Sequence, residues 1–208
     1  MHARTTTIQA DPAKIAGGIA SVRDQVLPAV TRMDGCVGMS MLVDRETGRC
    51  IVTTAWESET ALRDSAEKVR PLRERAEQDM GSSSTSSVDM WEVAVVHRDH
   101  PIPDGACARV TWLSGDPDTA ERAVDMYRMA VLPRVQELAG FCSGSLLIDR
   151  DAGRAVGTVI FENRDQLMAS REAAARIRES VSSEIRATID DVAELEVAFA
   201  HLHVPEMA

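Results

Sequence analysis

One stretch of this chain occurs twice. Residues 26–65 run from Val26-Leu27-Pro28 through Trp56-Glu57-Ser58 to Ser65. They return 105 positions later as Val131-Leu132-Pro133 through Glu162 to Ser170, with fifteen of 40 aligned positions identical. Among the identities are Gly35/Gly140, Asp44-Arg45/Asp149-Arg150, Gly48-Arg49/Gly153-Arg154 and Leu62/Leu167, and the same shift places Asp11-Pro12 on Asp116-Pro117. A period near half of 208 residues means two copies of one domain rather than a solenoid. The copies are expected at 1–97 and 107–208, joined by a linker at 98–106 stiffened by Pro101 and Pro103. A domain of about 95 residues buries only about two thirds of its unfolded surface, so each copy is viable but modest alone.

Each copy reads in the same order. A first strand (4–9; 109–113) leads to Asp11-Pro12 or Asp116-Pro117, an N-cap acceptor followed by proline in the first turn. The first helix carries an apolar face at Ile15, Ile19, Val22, Val26, Val30 and Met33 in one copy. In the other, Ala120, Val124, Tyr127, Val131, Val135 and Leu138 take that face. Pro28 falls inside this pattern and should kink or divide the helix. Two strands follow around a short hairpin at Arg45-Glu46-Thr47-Gly48, where Gly48 suits a positive φ. A second helix starts at Ser58 or Asn163. Pro71 is expected to interrupt it in the first copy, and 165–185 reads as continuous in the second. Closing strands come at about 88–96 and 194–201, after which the tail reads as frayed. The order β-α-β-β-α-β gives a four-stranded antiparallel sheet with both helices on one face. The bare face must be covered, and the second copy covers it best. The expected fold is therefore α+β: two ferredoxin-like repeats pairing sheet to sheet as an intrachain pseudo-dimeric barrel, alone or as a homo-oligomer of that unit.

Composition narrows the partners. Net charge is −10, with −3 on residues 1–103 and −7 on residues 104–208, and neither half has a basic block. Phosphate backbones are held by clustered Lys and Arg, so nucleic acid is not an expected partner. No apolar run reaches the ~20 residues of a membrane span, and Met1-His2-Ala3-Arg4 opens no apolar signal core. Cys36, Cys50, Cys107 and Cys142 have no CxxC spacing. Cys50 should lie opposite position 43 or 44, leaving Cys36 about 20 Å away at ~3.3 Å per residue. They read as buried, reduced thiols of a cytoplasmic protein. His201 and His203 have a spacing a metal could use, yet they read as a solvated tail. No metal or other cofactor is expected.

With order and motifs established, both copies resemble the antibiotic biosynthesis monooxygenase-like family of the dimeric α+β barrel superfamily. Leu27-Pro28, Gly35, Asp44, Gly48, Trp56-Glu57-Ser58 and Leu62 carry the resemblance. It implies a small hydrophobic or aromatic ligand and, in some members, oxygenation with O2 and no metal or flavin. There the protein supplies a dry pocket and donors for an enolate. The alternative is a non-catalytic ligand-binding or structural protein of the same fold. Haem-degrading relatives carry a Trp where Trp56 stands, but they need a histidine on the following helix, and 59–79 and 162–186 have none. The strand residues Thr5-Thr6-Thr7 also lack the asparagine of those enzymes, so haem degradation is disfavoured.

Candidate site residues are few. Asn163, the single asparagine, sits at a strand-to-helix junction where it either meets a ligand oxygen or caps the helix. Tyr127, the single tyrosine, sits on the apolar helix face as a pocket hydroxyl or as core. These two are the catalytic candidates. Trp56, Trp112 and Phe161 could stack on a planar ligand or anchor the core. The ten methionines could line an adaptable pocket or fill space. Ser-His-Asp and Cys-His catalysis find no interior histidine, and no glycine-rich phosphate loop follows a strand. Because Val22 becomes Tyr127 and Ser58 becomes Asn163, the second copy is the first place to look for a site.

Overall fold

The computed structural model describes residues 1–82, 84–202 and 205–207. Its strands are β1 (His2–Gln9), β2 (Cys36–Val43), β3 (Arg49–Trp56), β4 (Ser87–Arg98), β5 (Cys107–Ser114), β6 (Phe141–Asp149), β7 (Arg154–Phe161) and β8 (Thr188–Leu202). They hydrogen-bond in the order β1-β3-β2-β8-β5-β7-β6-β4 as a closed barrel. This is the α+β barrel implied by the duplicated β-α-β-β-α-β order. Contacts divide the chain into two compact units, residues 1–91 with 197–204 and residues 92–196 with 205–208. Among the described residues no helix is long and apolar enough to cross a membrane.

In the first unit, β3 pairs antiparallel with both β1 and β2, and Cys50 lies opposite Val43 as the hairpin spacing requires. Gly48 closes that hairpin at φ 82°, where a Cβ would stand 2.1 Å from the Ala10 carbonyl oxygen. Only glycine meets both demands. The first helical segment opens with a 3-10 turn at Pro12–Lys14, capped by the Asp11 carboxylate on the Ala13 N–H, and continues as α1 (Ile15–Ser21). The turn Val22–Val26 is then π-helical, and α2 (Leu27–Thr31) follows. Pro28 explains the widened turn. It has no N–H, and its ring collides with the carbonyl four residues back in a regular helix. One residue before it, the Leu27 N–H reaches five residues back to the Val22 carbonyl. The second unit repeats the device: α5 (Ala120–Met126), a π turn at Tyr127–Val131 with Leu132 N–H on the Tyr127 carbonyl, and α6 (Leu132–Gln136) with Pro133 in its first turn.

The second helical segments differ from the sequence expectation. Pro71 does not interrupt its helix: α4 (Ala66–Asp79) runs through it. Pro71 and Glu67 are both exposed, so the carbonyl deprived of a donor faces water. The break falls earlier, at Ser65, between α3 (Glu59–Asp64) and α4. There the Leu62 carbonyl accepts from the Ser65 hydroxyl and from the buried Arg4 guanidinium. The second unit breaks at Ser170, between α7 (Arg164–Ala169) and α8 (Arg171–Ile185), with no proline nearby. The arginine and serine, present in both copies, make the break.

The tail is also better held than its composition suggests. Met207 exchanges backbone hydrogen bonds with Val96, and the Glu206 carboxylate meets His97 and the Arg98 N–H. β4 extends through Arg98, and β5 begins at Cys107. His203 lies outside the described residues.

The first unit's core is one cluster packed between β1–β3 and the helices, with Trp56, Met39, Met41, Met80, Ile15 and Val30 all essentially inaccessible. The alternation Met39, Met41, Val43 is the buried face of β2.

Candidate ligand cavity

The second unit is built on the same plan with different volumes. Tyr127, first residue of the π turn, lies over Gly144 of β6 and Gly157 of β7. A Cβ at Gly144 would be 3.3 Å from the Tyr127 hydroxyl, and one at Gly157 would be 3.6 Å from its ring. The positions 105 earlier are Met39 and Val52, in the same core cluster as Val22. A large residue has moved from sheet to helix. Its hydroxyl donates to the Ser145 carbonyl oxygen at 3.0 Å, and burial pushes the phenol pKa well above its ordinary value.

Other exchanges run both ways, Ala76 becoming Val181 and Cys36 becoming Phe141, but several beside the cavity remove volume. Ile15, Cys50 and Val69 fill the first core, whereas Ala120, Ala155 and Ala174 hold those places in the second. Met80, packed onto Gly18, becomes Ile185 opposite Ala123. The atoms removed leave a cavity of about 120 Å³ between β5–β7 and the helices. Tyr127, Phe161, Leu146, Ala155, Ala174 and Val181 are among its walls. Drug-sized sites run to roughly 300–1,000 Å³, while an apolar cavity of ~150 Å³ takes a benzene ring. This cavity is of single-ring size.

A buried arginine network borders one end. Arg109 on β5 lines the cavity and is 3% exposed. Its guanidinium donates to the Ser170 hydroxyl at 2.8 Å, the Leu167 carbonyl at 2.7 Å and Glu194 at 2.8 Å, and stands 5.7 Å from the Phe161 ring centroid. Arg4, Ser65, Leu62 and Trp56 repeat the arrangement in the first unit, with 6.0 Å from guanidinium to ring. Burial pulls the Arg4 pKa below the usual arginine value, and the Arg73 charge adds to it.

Glu194 is shared by Arg109 and Arg171. Burial alone would raise its pKa, but hydrogen bonds from the two guanidiniums outweigh that and hold it below the usual carboxylate range. A carboxylate depressed in the fold stabilises fully above its unfolded pKa, and that contribution is lost as pH falls through the folded value. We therefore expect Glu194→Gln to lower the unfolding temperature at pH 7. The gap to the parent should close as pH falls below about 4. A gap independent of pH would show that Glu194 carries no charge-dependent stability.

Of the residues singled out in the sequence, Tyr127 and Phe161 line the cavity together. Asn163 does not: its side-chain oxygen accepts from the Gln166 N–H at 3.0 Å, capping α7 as Ser58 caps α3. Trp56 belongs to the first unit, fully buried, its indole N–H on the Thr54 hydroxyl at 3.0 Å. Trp112 stands on β5 between Thr111 and Leu113. Both neighbours line the cavity, so its side chain points to the other face of the sheet. All four cysteines are free thiols, with Cys36 half-buried and the others buried. Burial raises the Cys50 and Cys142 thiols to about 11, far from a reactive thiolate at neutral pH. Sequence reading missed Arg109, Arg178 and Glu194. The signal available was the shift itself, which also pairs Arg4 with Arg109 and Arg73 with Arg178.

A family model described as antibiotic biosynthesis monooxygenase matches residues 1–68. An uncharacterized protein of Mycobacterium tuberculosis (strain ATCC 25618 / H37Rv), Rv2558, is 47% identical over 208 residues, covering 100% of this chain and 87% of that protein. The chain belongs to the antibiotic biosynthesis monooxygenase-like family. This monooxygenase-like chain is also similar to an anthrone oxidase-like protein of known structure, with TM-score 0.67, 13% identity, and 100% of this chain and 94% of that one covered. A second likeness is to LmHde, a heme-degrading enzyme from Listeria monocytogenes, with TM-score 0.53, 8% identity and coverage of 94% and 99%. At such identities the likeness is one of fold, and it spans both copies. The family model falls on the first copy, whose core residues form one buried cluster, whereas this cavity lies in the second.

Proposed function

We propose that this protein binds a small hydrophobic or aromatic molecule, of about one ring, in the cavity of its second unit. The supporting observation is the contrast between two copies of one fold. Where the first is packed with Ile15, Cys50, Val69 and Met80, the second has three alanines and an isoleucine around open space. Native cores are packed to crystal density, and an apolar void loses stabilisation in proportion to its volume. A space left by several coordinated replacements is therefore better read as a ligand site than as a packing fault. Phe161 offers the aromatic wall and Tyr127 the nearest phenol.

Oxygenation without a cofactor is the competing reading, carried by the family. It asks for a base that takes a substrate proton and for donors to the enolate. The Tyr127 hydroxyl already donates to Ser145, and its raised pKa makes it a poor base at neutral pH. Binding is thus the reading the geometry favours. Toluene at millimolar concentration should raise the unfolding temperature by mass action. No shift with toluene, indole or phenol would remove the cavity as a site. Oxygen uptake with whichever ring binds would separate turnover from storage.

A further inference from the structure

The two copies also differ in the partner of one arginine. Arg73 in α4 pairs with Glu77 four residues on, at 3.5 Å. In α8 the same arginine is Arg178, and the position four residues on is Ser182. Arg178 and Ser182 both line the cavity. The Ser182 hydroxyl donates to the Glu179 carbonyl oxygen at 3.2 Å and offers no charge. The Arg178 Nη1 is buried and has no hydrogen-bond partner among the described residues. A buried guanidinium nitrogen without an acceptor is costly. Nearby carboxylates do not meet that cost. Glu194 is divided between Arg109 and Arg171, and Glu179 is exposed beside Arg178 in the chain. Glu194 thus has its contacts with Arg109 and Arg171, and Glu179 and Glu194 act on Arg178 only through space, without bonding its Nη1. Burial, followed by the Arg109 charge, lowers the Arg178 pKa, and the charges of Glu179 and Glu194 only partly oppose this.

We propose that the cavity takes an anionic ligand, a single ring bearing a carboxylate or comparable oxyanion, whose acid group pairs with Arg178 while the ring lies among Phe161, Ala174 and Ile177. The ligand supplies in the second copy the carboxylate that Glu77 supplies in the first. This inference rests on the ligand-binding reading above and adds the chemical class.

Benzoate and toluene are the probes, titrated by calorimetry or NMR into the full chain, into Arg178→Gln and into Ser182→Glu. The serine-to-glutamate change restores the carboxylate of the first copy and so competes with the ligand from inside. Benzoate should bind the parent, and both variants should weaken it roughly ten- to hundredfold, as for a hydrogen-bonded charge pair. Arg178→Gln should lower benzoate affinity at least about tenfold more than toluene affinity, whereas Ser182→Glu, which adds atoms to the cavity wall, should weaken both probes; cooperative urea unfolding reports that the variants are folded. Toluene binding without benzoate binding, or benzoate affinity indifferent to both substitutions, would overturn the anionic class while leaving the apolar cavity intact. Binding of neither probe to the parent would overturn both readings.

Discussion

Replacing Arg109 by methionine is expected to cost about 3–5 kcal/mol of folding stability, the range for breaking a buried ion pair from one side. The side chain is 3% exposed, and methionine fills much of its volume, so the loss is polar. Three acceptors lose a buried charged donor at once: the Ser170 hydroxyl, the Leu167 carbonyl, which keeps only the Ser170 hydroxyl, and Glu194, which keeps Arg171. The Leu167 carbonyl matters most. It lies at the α7–α8 break, so the side chains of Arg109 and Ser170 serve it where a helix N–H otherwise would. Lysine should not restore the loss, because a single ammonium cannot reach three acceptors as the planar fork does. Arg4→Met should behave alike in the first unit, where the Ser65 hydroxyl and Leu62 carbonyl lose the guanidinium and keep only each other. Urea denaturation measures both. A cost below about 1 kcal/mol for either would mean that the network is decoration rather than the reason these helices break where they do.

How much of this was legible in the sequence depends on what kind of information each feature is. The duplication, the strand order and the Gly48 hairpin are carried by residue identity and period, and both survive reading one residue at a time. Asn163 as a cap was equally legible, since Ser58 stands in its place in the first copy and both accept from the third residue on. The helix breaks were not. Pro71 announced an interruption that its exposed position made harmless. The true break comes from a contact between residues 61 apart, which no local pattern contains. Arg109 was passed over for a related reason: a charged residue at a strand position reads as surface until the fold brings Glu194 and Ser170 around it. The cavity was the least legible feature. Periodicity scores alanine and isoleucine alike as apolar, so the sequence pattern of Ala120 and Ile15 is the same while their volumes are not. Only the difference between two aligned copies holds that information.

That difference can be exchanged between the copies, with opposite consequences. Ile15 is 1% exposed and lies in a filled core, so Ile15→Ala should cost about 2–5 kcal/mol through lost burial and the void left behind. Its counterpart change, Ala120→Ile, places the same side chain where the second unit already has room. It should cost less than about 1 kcal/mol, and it gains stability if the isoleucine reaches a favoured rotamer. Ala120→Ile should also abolish toluene and benzoate binding, because the added atoms occupy a substantial part of a space of about 120 Å³. Ile15→Ala should leave binding in the second unit unchanged. The two measurements test one claim from both sides: that this chain's duplicated fold packs one copy and keeps the other open. Were Ala120→Ile as destabilising as Ile15→Ala, the second core would be closed to the added side chain. The volume missing from its sequence would then have been recovered by relaxation instead of being held for a ligand.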